Sequence, residues 1–80
     1  MDKNEIKAKL TPIFREVFFD DALEIGEETT AQDVPDWDSL AHINLIMTVE
    51  KSFRIAFSTQ EVRSMAKVGD LIDIIHKRTS

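Results

Sequence analysis

Apolar residues recur along this chain at steps of three and four, in stretches separated by breakers, a spacing that predicts helices. The first stretch takes in Ile6, Leu10, Ile13, Val17 and Phe18, with Lys3, Lys7, Lys9, Arg15 and Glu16 on much of the other face. Asp2-x-x-Glu5 reads as its capping box. Pro12 removes one i→i−4 bond and crowds the preceding turn, so a kink or a split is expected near Thr11. Phe18-Phe19 reads as core. A second helix is expected from about Ser39 to Phe53, N-capped by Asp38, with Ile43, Ile46, Val49 and Phe53 facing inward. Arg54-Ile55-Ala56-Phe57 reads as a short extended link, with Ile55 and Phe57 pointing the same way. Ser58-Thr59-Gln60-Glu61 is another capping box and opens a short helix through about Met65, with Val62 and Met65 on one side. The last helix begins at Val68-Gly69-Asp70-Leu71 and turns Leu71, Ile72, Ile74 and Ile75 inward. It closes on Lys77 and Arg78, where the helix dipole favours cations. The expected fold is all-α: an antiparallel bundle of three main helices plus one short helix, with a long first loop, in a single domain spanning residues 1–80.

The loop from Asp20 to Asp38 carries the turn and breaker signals Gly26, Thr29-Thr30 and Pro35. Leu23, Ile25 and Val34 give it apolar anchors, so it is expected to be ordered and draped over the bundle. Trp37 is expected to pack against it and seal one end. Composition narrows the chemistry. The chain has no cysteine, which excludes disulfides, Cys-based metal sites and a thiol of its own. His42 and His76 are too far apart in sequence to suggest a metal site. The net charge of −5 argues against nucleic acid, which requires clustered Lys and Arg. Eight acids and no Lys or Arg lie between Asp20 and Asp38, which suits a basic partner surface. No run of consecutive apolar residues exceeds three, so neither a transmembrane helix nor a signal-peptide core is expected, and a soluble, cytoplasmic monomer is.

Ser39 stands at the first position of the second helix. A serine there is badly placed for the core and well placed to carry a phosphate, which the free N–H groups and the dipole would stabilise. Asp38-Ser39-Leu40 opening an amphipathic helix that ends in Glu50-x-x-Phe53 resembles the acyl carrier proteins. Phe53-x-Ile55-x-Phe57, a short Ser/Thr-capped segment and a final apolar helix follow in the same order, so the resemblance covers essentially the whole chain. It implies that Ser39 is the attachment site of covalent 4′-phosphopantetheine, taken from coenzyme A by a phosphopantetheinyl transferase (holo-acyl-carrier-protein synthase). The arm's thiol would then hold acyl groups as thioesters for acyl-loading, ketosynthase or acyltransferase enzymes. The resemblance further implies that the outer face of the second helix is the recognition surface. Leu40, Ala41, Asn44, Met47, Thr48 and Lys51 line up there with Glu50 at the edge, and Asp36 and Asp38 supply charge beside them. Fatty-acid-synthesis carriers are commonly more acidic on this helix, and here Glu50 and Lys51 cancel. The stretch Trp37–Ile43 looks more like carriers of polyketide-like, modified-polysaccharide or lipid-tailoring pathways.

Other readings compete with this one. Aminoacyl and peptidyl carriers share the fold and the serine, but peptidyl carriers usually place Gly-Gly where Asp36-Trp37 stand. An unmodified helical interaction module would use the second helix only for docking. Asp38, Ser39 and His42 imitate a hydrolase triad in composition. However, there is no Gly-x-Ser-x-Gly elbow, and one helix turn cannot readily align nucleophile, base and orienter, so no catalytic residue is expected.

Overall fold

The structure, a computed structural model, describes residues 1–79. Four helices follow in order: α1 (Lys3–Val17), α2 (Ser39–Phe53), α3 (Thr59–Ser64) and α4 (Val68–Thr79). Among the described residues there is no strand, only an isolated bridge between Thr30 and Lys67. Both α2 and α4 run antiparallel to α1. Lys3 at the start of α1 pairs with Asp73 in α4 at 2.8 Å, and His76 near the end of α4 bonds the Met1 carbonyl through Nδ1 at 2.8 Å. At the other end of α1, Phe14 and Phe18 meet Trp37 just before α2.

Local signals set the helix ends. The Asp2 carboxylate accepts the Glu5 N–H at 2.8 Å, and the Asp38 carboxylate accepts the Ala41 N–H at 2.8 Å. At α3 the box closes in both directions: the Ser58 hydroxyl accepts from Glu61 N–H at 3.1 Å, and the Glu61 carboxylate accepts from Ser58 N–H at 2.9 Å. The expected split near Thr11 does not occur, and α1 runs through Pro12. Pro12 and Ala8 both lie on the exposed face, so the Ala8 carbonyl that loses its partner to the proline ring is open to water. Arg54 is not extended. It closes α2 in the left-handed conformation at φ 57°, its N–H donating to the Glu50 carbonyl.

The core joins Ile6, Leu10 and Phe14 of α1, Leu45, Ile46 and Val49 of α2, and Val68, Leu71, Ile72 and Ile75 of α4, with Ile25 and Val34 from the loop. Two sequence expectations fail here. Ile43 is 55% exposed and Leu45 fully buried, so the inner stripe of α2 runs through Leu45, Ile46 and Val49. At about 100° per residue, Ile43 falls on the same side as Leu40 and Met47. Phe18 is core, but Phe19 is 95% exposed. Phe19 takes φ 52°, with its N–H on the Glu16 carbonyl and the Asp20 N–H on the Arg15 carbonyl, a Schellman closure that turns its ring away from the bundle. Phe53, Ile55, Phe57, Val62, Met65 and Ile74 are half-buried rather than fully enclosed.

The long loop is ordered by bonds as well as by anchors. Arg15 Nε donates to the Leu23 carbonyl at 2.8 Å. The first N–H groups of α4 close onto the loop, Val68 to Thr29 at 2.8 Å and Gly69 to Glu27 at 2.9 Å. A Cβ on Gly69 would lie 2.8 Å from the Glu27 carbonyl oxygen, so only glycine permits this approach.

Candidate functional site

Ser39 is exposed and opens α2, as its position after the Asp38 cap requires. Its hydroxyl has no hydrogen-bond partner among the described residues. The cap has a cost for the helix end as an anion site. Asp38 takes the Ala41 N–H through its carboxylate and the His42 N–H through its carbonyl at 2.9 Å, leaving those of Ser39 and Leu40.

Ser39 borders a groove of about 640 Å³. One wall is the start of α2 with Asp38, His42 and Ile43. The other is Val62 and Arg63 of α3 with Met65 and Ala66, while Trp37 and Ala31 complete the lining. The walls are mostly apolar. Trp37 packs edge-on against Phe14 at 5.5 Å and tilted against Phe18 at 5.9 Å, so it seals the end of the bundle against α1. Its indole N–H donates to His42 Nδ1 at 3.1 Å. Because Nδ1 accepts, the hydrogen sits on Nε2, which donates to the Val62 carbonyl at 3.3 Å. His42 thus joins the end of the loop, α2 and α3. Both its nitrogens are engaged and the Asp38 carboxylate caps the helix, so two of the three residues that imitate a triad, Asp38 and His42, have other work. A second tether holds α3 from below: Arg78 of α4 pairs with Glu61 and donates to the Ala56 carbonyl at 2.6 Å. The Ser58 N–H, and then Arg78, hold the Glu61 carboxyl below the usual carboxylate range.

The expected recognition residues separate on the surface. Leu40 is 77% and Met47 52% exposed, and Asn44, Lys51, Asp36 and Asp38 are also exposed. Ala41 and Thr48 are half-buried. Glu50 is half-buried as well, and its carboxylate accepts the Phe57 N–H at 2.8 Å, so its charge is committed to the link after α2. Sequence reasoning missed Ile43, which makes Leu40, Ile43 and Met47 one apolar stripe, and Arg63, placed in the groove by the packing of α3. Spacing from Leu40 could have revealed Ile43. No local signal marks Arg63. Among the described residues no cluster of side chains could hold a metal ion, and no helix is long and apolar enough to cross a membrane.

Comparison with known proteins found no matching family model. The chain is 30% identical over 73 residues to an acyl carrier protein of Micrococcus luteus, covering 91% of this chain and 90% of that protein. It is 36% identical over 59 residues to one of Clostridium acetobutylicum, covering 74% and 77%. The solution NMR structure of a holo acyl carrier protein from Geobacter metallireducens matches with a TM-score of 0.86 and 44% identity, covering 91% of this chain and 84% of that one.

Proposed function

The chain belongs to the acyl carrier protein family, and from that premise we propose that Ser39 carries a 4′-phosphopantetheine arm. It is a carrier and not an enzyme. The observation that carries the reading is the Ser39 hydroxyl: exposed, unpartnered, at the start of a capped helix and on the rim of a mostly apolar groove. The residues present fit the group. A thiol must come from outside a chain without cysteine, and Ser39 is open to an approaching transferase. In the transfer, the Ser39 oxygen forms a bond to the phosphorus of coenzyme A that bears the pantetheine, 3′,5′-adenosine diphosphate leaves, and the serine proton passes to a base of the transferase. The arm's terminal thiol supplies thioester chemistry, holding an acyl group for partner enzymes. Asp38 orients the first turn of α2, and the His42 bridge from Trp37 to Val62 keeps α3 against it.

The partners are a phosphopantetheinyl transferase and acyl-handling enzymes in the cytoplasm. The exposed stripe of Leu40, Ile43 and Met47, with Glu50 committed elsewhere, favours docking by apolar contact over docking by an acidic helix. That supports a specialised pathway over housekeeping fatty-acid synthesis. Intact-mass measurement after incubation with coenzyme A and a broad phosphopantetheinyl transferase tests the reading. One added phosphopantetheine is expected, and none on folded Ser39→Ala. No mass gain would leave a helical interaction module.

A further inference from the structure

The groove beside Ser39 has one basic side chain in its lining, Arg63. The guanidinium is exposed and makes no ion pair or hydrogen bond with any described residue, whereas Arg78 and Lys67 are paired to Glu61 and Glu28. The charge around Ser39 is otherwise negative. Asp36 and Asp38 flank it, and no Lys or Arg occurs from Asp20 to Glu50. A phosphodiester on Ser39 therefore starts in an unfavourable field. Asp38 has already taken the Ala41 N–H, which reduces what the helix end can offer the anion. The nearest compensation in the groove's lining is on the opposite wall. Asp38 also lines the groove, with its Oδ1 accepting the Ala41 N–H at 2.8 Å, and it makes no ion pair with Arg63. An Arg fork facing a phosphate oxygen is the pairing that guanidinium geometry favours.

We infer that Arg63 docks the phosphodiester of the Ser39 arm across the groove between α2 and α3, so that the arm leaves Ser39 toward α3 rather than into solvent. This rests on the reading of Ser39 as the attachment site. The consequence is directional. An arm held at its root toward α3 presents its thiol end along the wall of Val62 and Met65. Loss of the guanidinium frees the root and spreads the arm over solvent-facing directions. At an exposed site such a contact changes the ratio of docked to free arm by up to roughly fivefold.

The test compares 15N-labelled parent, Arg63→Gln and Arg63→Lys proteins, each before and after modification, by intact mass, amide NMR shifts and 31P relaxation. Arg63 has no partner, so the unmodified variants should give spectra that match the parent away from residue 63. In the parent, modification should shift the amides of Val62, Met65 and Ala66 and the Arg63 side-chain N–H. In Arg63→Gln those shifts should fall, and 31P relaxation should approach that of a freely rotating phosphodiester. Arg63→Lys, which keeps a point charge without the fork, should lie between. In the parent, raising the salt should reproduce part of the Gln effect. Normal mass gain with unchanged groove shifts and unchanged 31P relaxation in Arg63→Gln overturns the inference and leaves Ser39 standing. No mass gain in the parent overturns both.

Discussion

Phe19 closes α1 in the left-handed backbone region that glycine enters without steric cost, and its ring is 95% exposed. A side chain in that region costs roughly 1–2 kcal/mol, and one this exposed returns little by burial. Part of the gain from replacing it is offset by the flexibility of glycine in the unfolded chain. Phe19→Gly is therefore expected to stabilise the protein by about 0.5–1 kcal/mol, read as a higher urea midpoint at unchanged slope. A lower midpoint would mean that the ring contributes to packing after all. Ser39 shows the reverse relation. Its hydroxyl makes no hydrogen bond with any described residue, so Ser39→Ala should melt with the parent, and under the proposed function its value lies in what can be attached to it.

At the scale of elements, α2 is the instructive one. It carries apolar residues on two faces, Leu40, Ile43 and Met47 outside and Leu45, Ile46 and Val49 inside. Periodicity alone admits either register, and packing against α1 chooses between them. Leu45→Ala should cost about 2–5 kcal/mol, the range for a fully enclosed leucine, while Ile43→Ala should stay within about 0.5 kcal/mol of the parent. Equal losses from the two would restore the register that Ile43, Ile46 and Val49 suggest. The helix ends were legible because caps are local: Asp38 before α2 and Ser58 with Glu61 at α3 act within one turn. The closure of α1 at Phe19 was not, since no glycine marks the left-handed position.

The same scale carries a pH prediction. The Glu61 carboxyl is held below its usual range by the Ser58 N–H and then by Arg78. The unfolded chain therefore binds that proton more readily than the folded one, and protonation favours unfolding. The contribution is full above the unfolded carboxylate's pKa, near 4.3, and is lost as pH falls through the lowered folded value. Glu61→Gln should lower Tm at neutral pH, with the gap to the parent closing under acid conditions. A gap of constant size from neutral pH down to about pH 3 would show that Glu61 acts through shape rather than charge.

At the scale of the whole molecule, the long loop decides how the site is presented. Its acids and breakers were readable, but its anchoring was not. The bonds from Val68 and Gly69 to Thr29 and Glu27 join residues about forty apart in sequence, and so does the placement of Arg63 opposite Ser39 depend on tertiary packing. The surface that results has two parts, exposed Asp36 near Ser39 and the stripe through Met47. Exposed charge acts chiefly on encounter and is screened by salt, while apolar contact acts chiefly on dissociation. Asp36→Lys should slow modification of Ser39 at low salt, with a deficit that shrinks as salt rises. Met47→Ala should slow it by a similar factor throughout. Initial rates across an ionic-strength series check both, and an Asp36 effect that ignores salt would reverse the assignment.

The most direct measurement is the location of the modification itself. The chain has five serines, Ser39, Ser52, Ser58, Ser64 and Ser80, of which Ser39 alone opens α2 on the rim of the groove. The parent protein, incubated with coenzyme A and a phosphopantetheinyl transferase, is digested and its peptides are fragmented in the mass spectrometer. One phosphopantetheine per chain is expected, on the peptide containing Asp38-Ser39-Leu40 and on the Ser39 oxygen. An adduct on any other serine, or a fully active transferase that leaves the chain unchanged, would contradict a carrier built around Ser39.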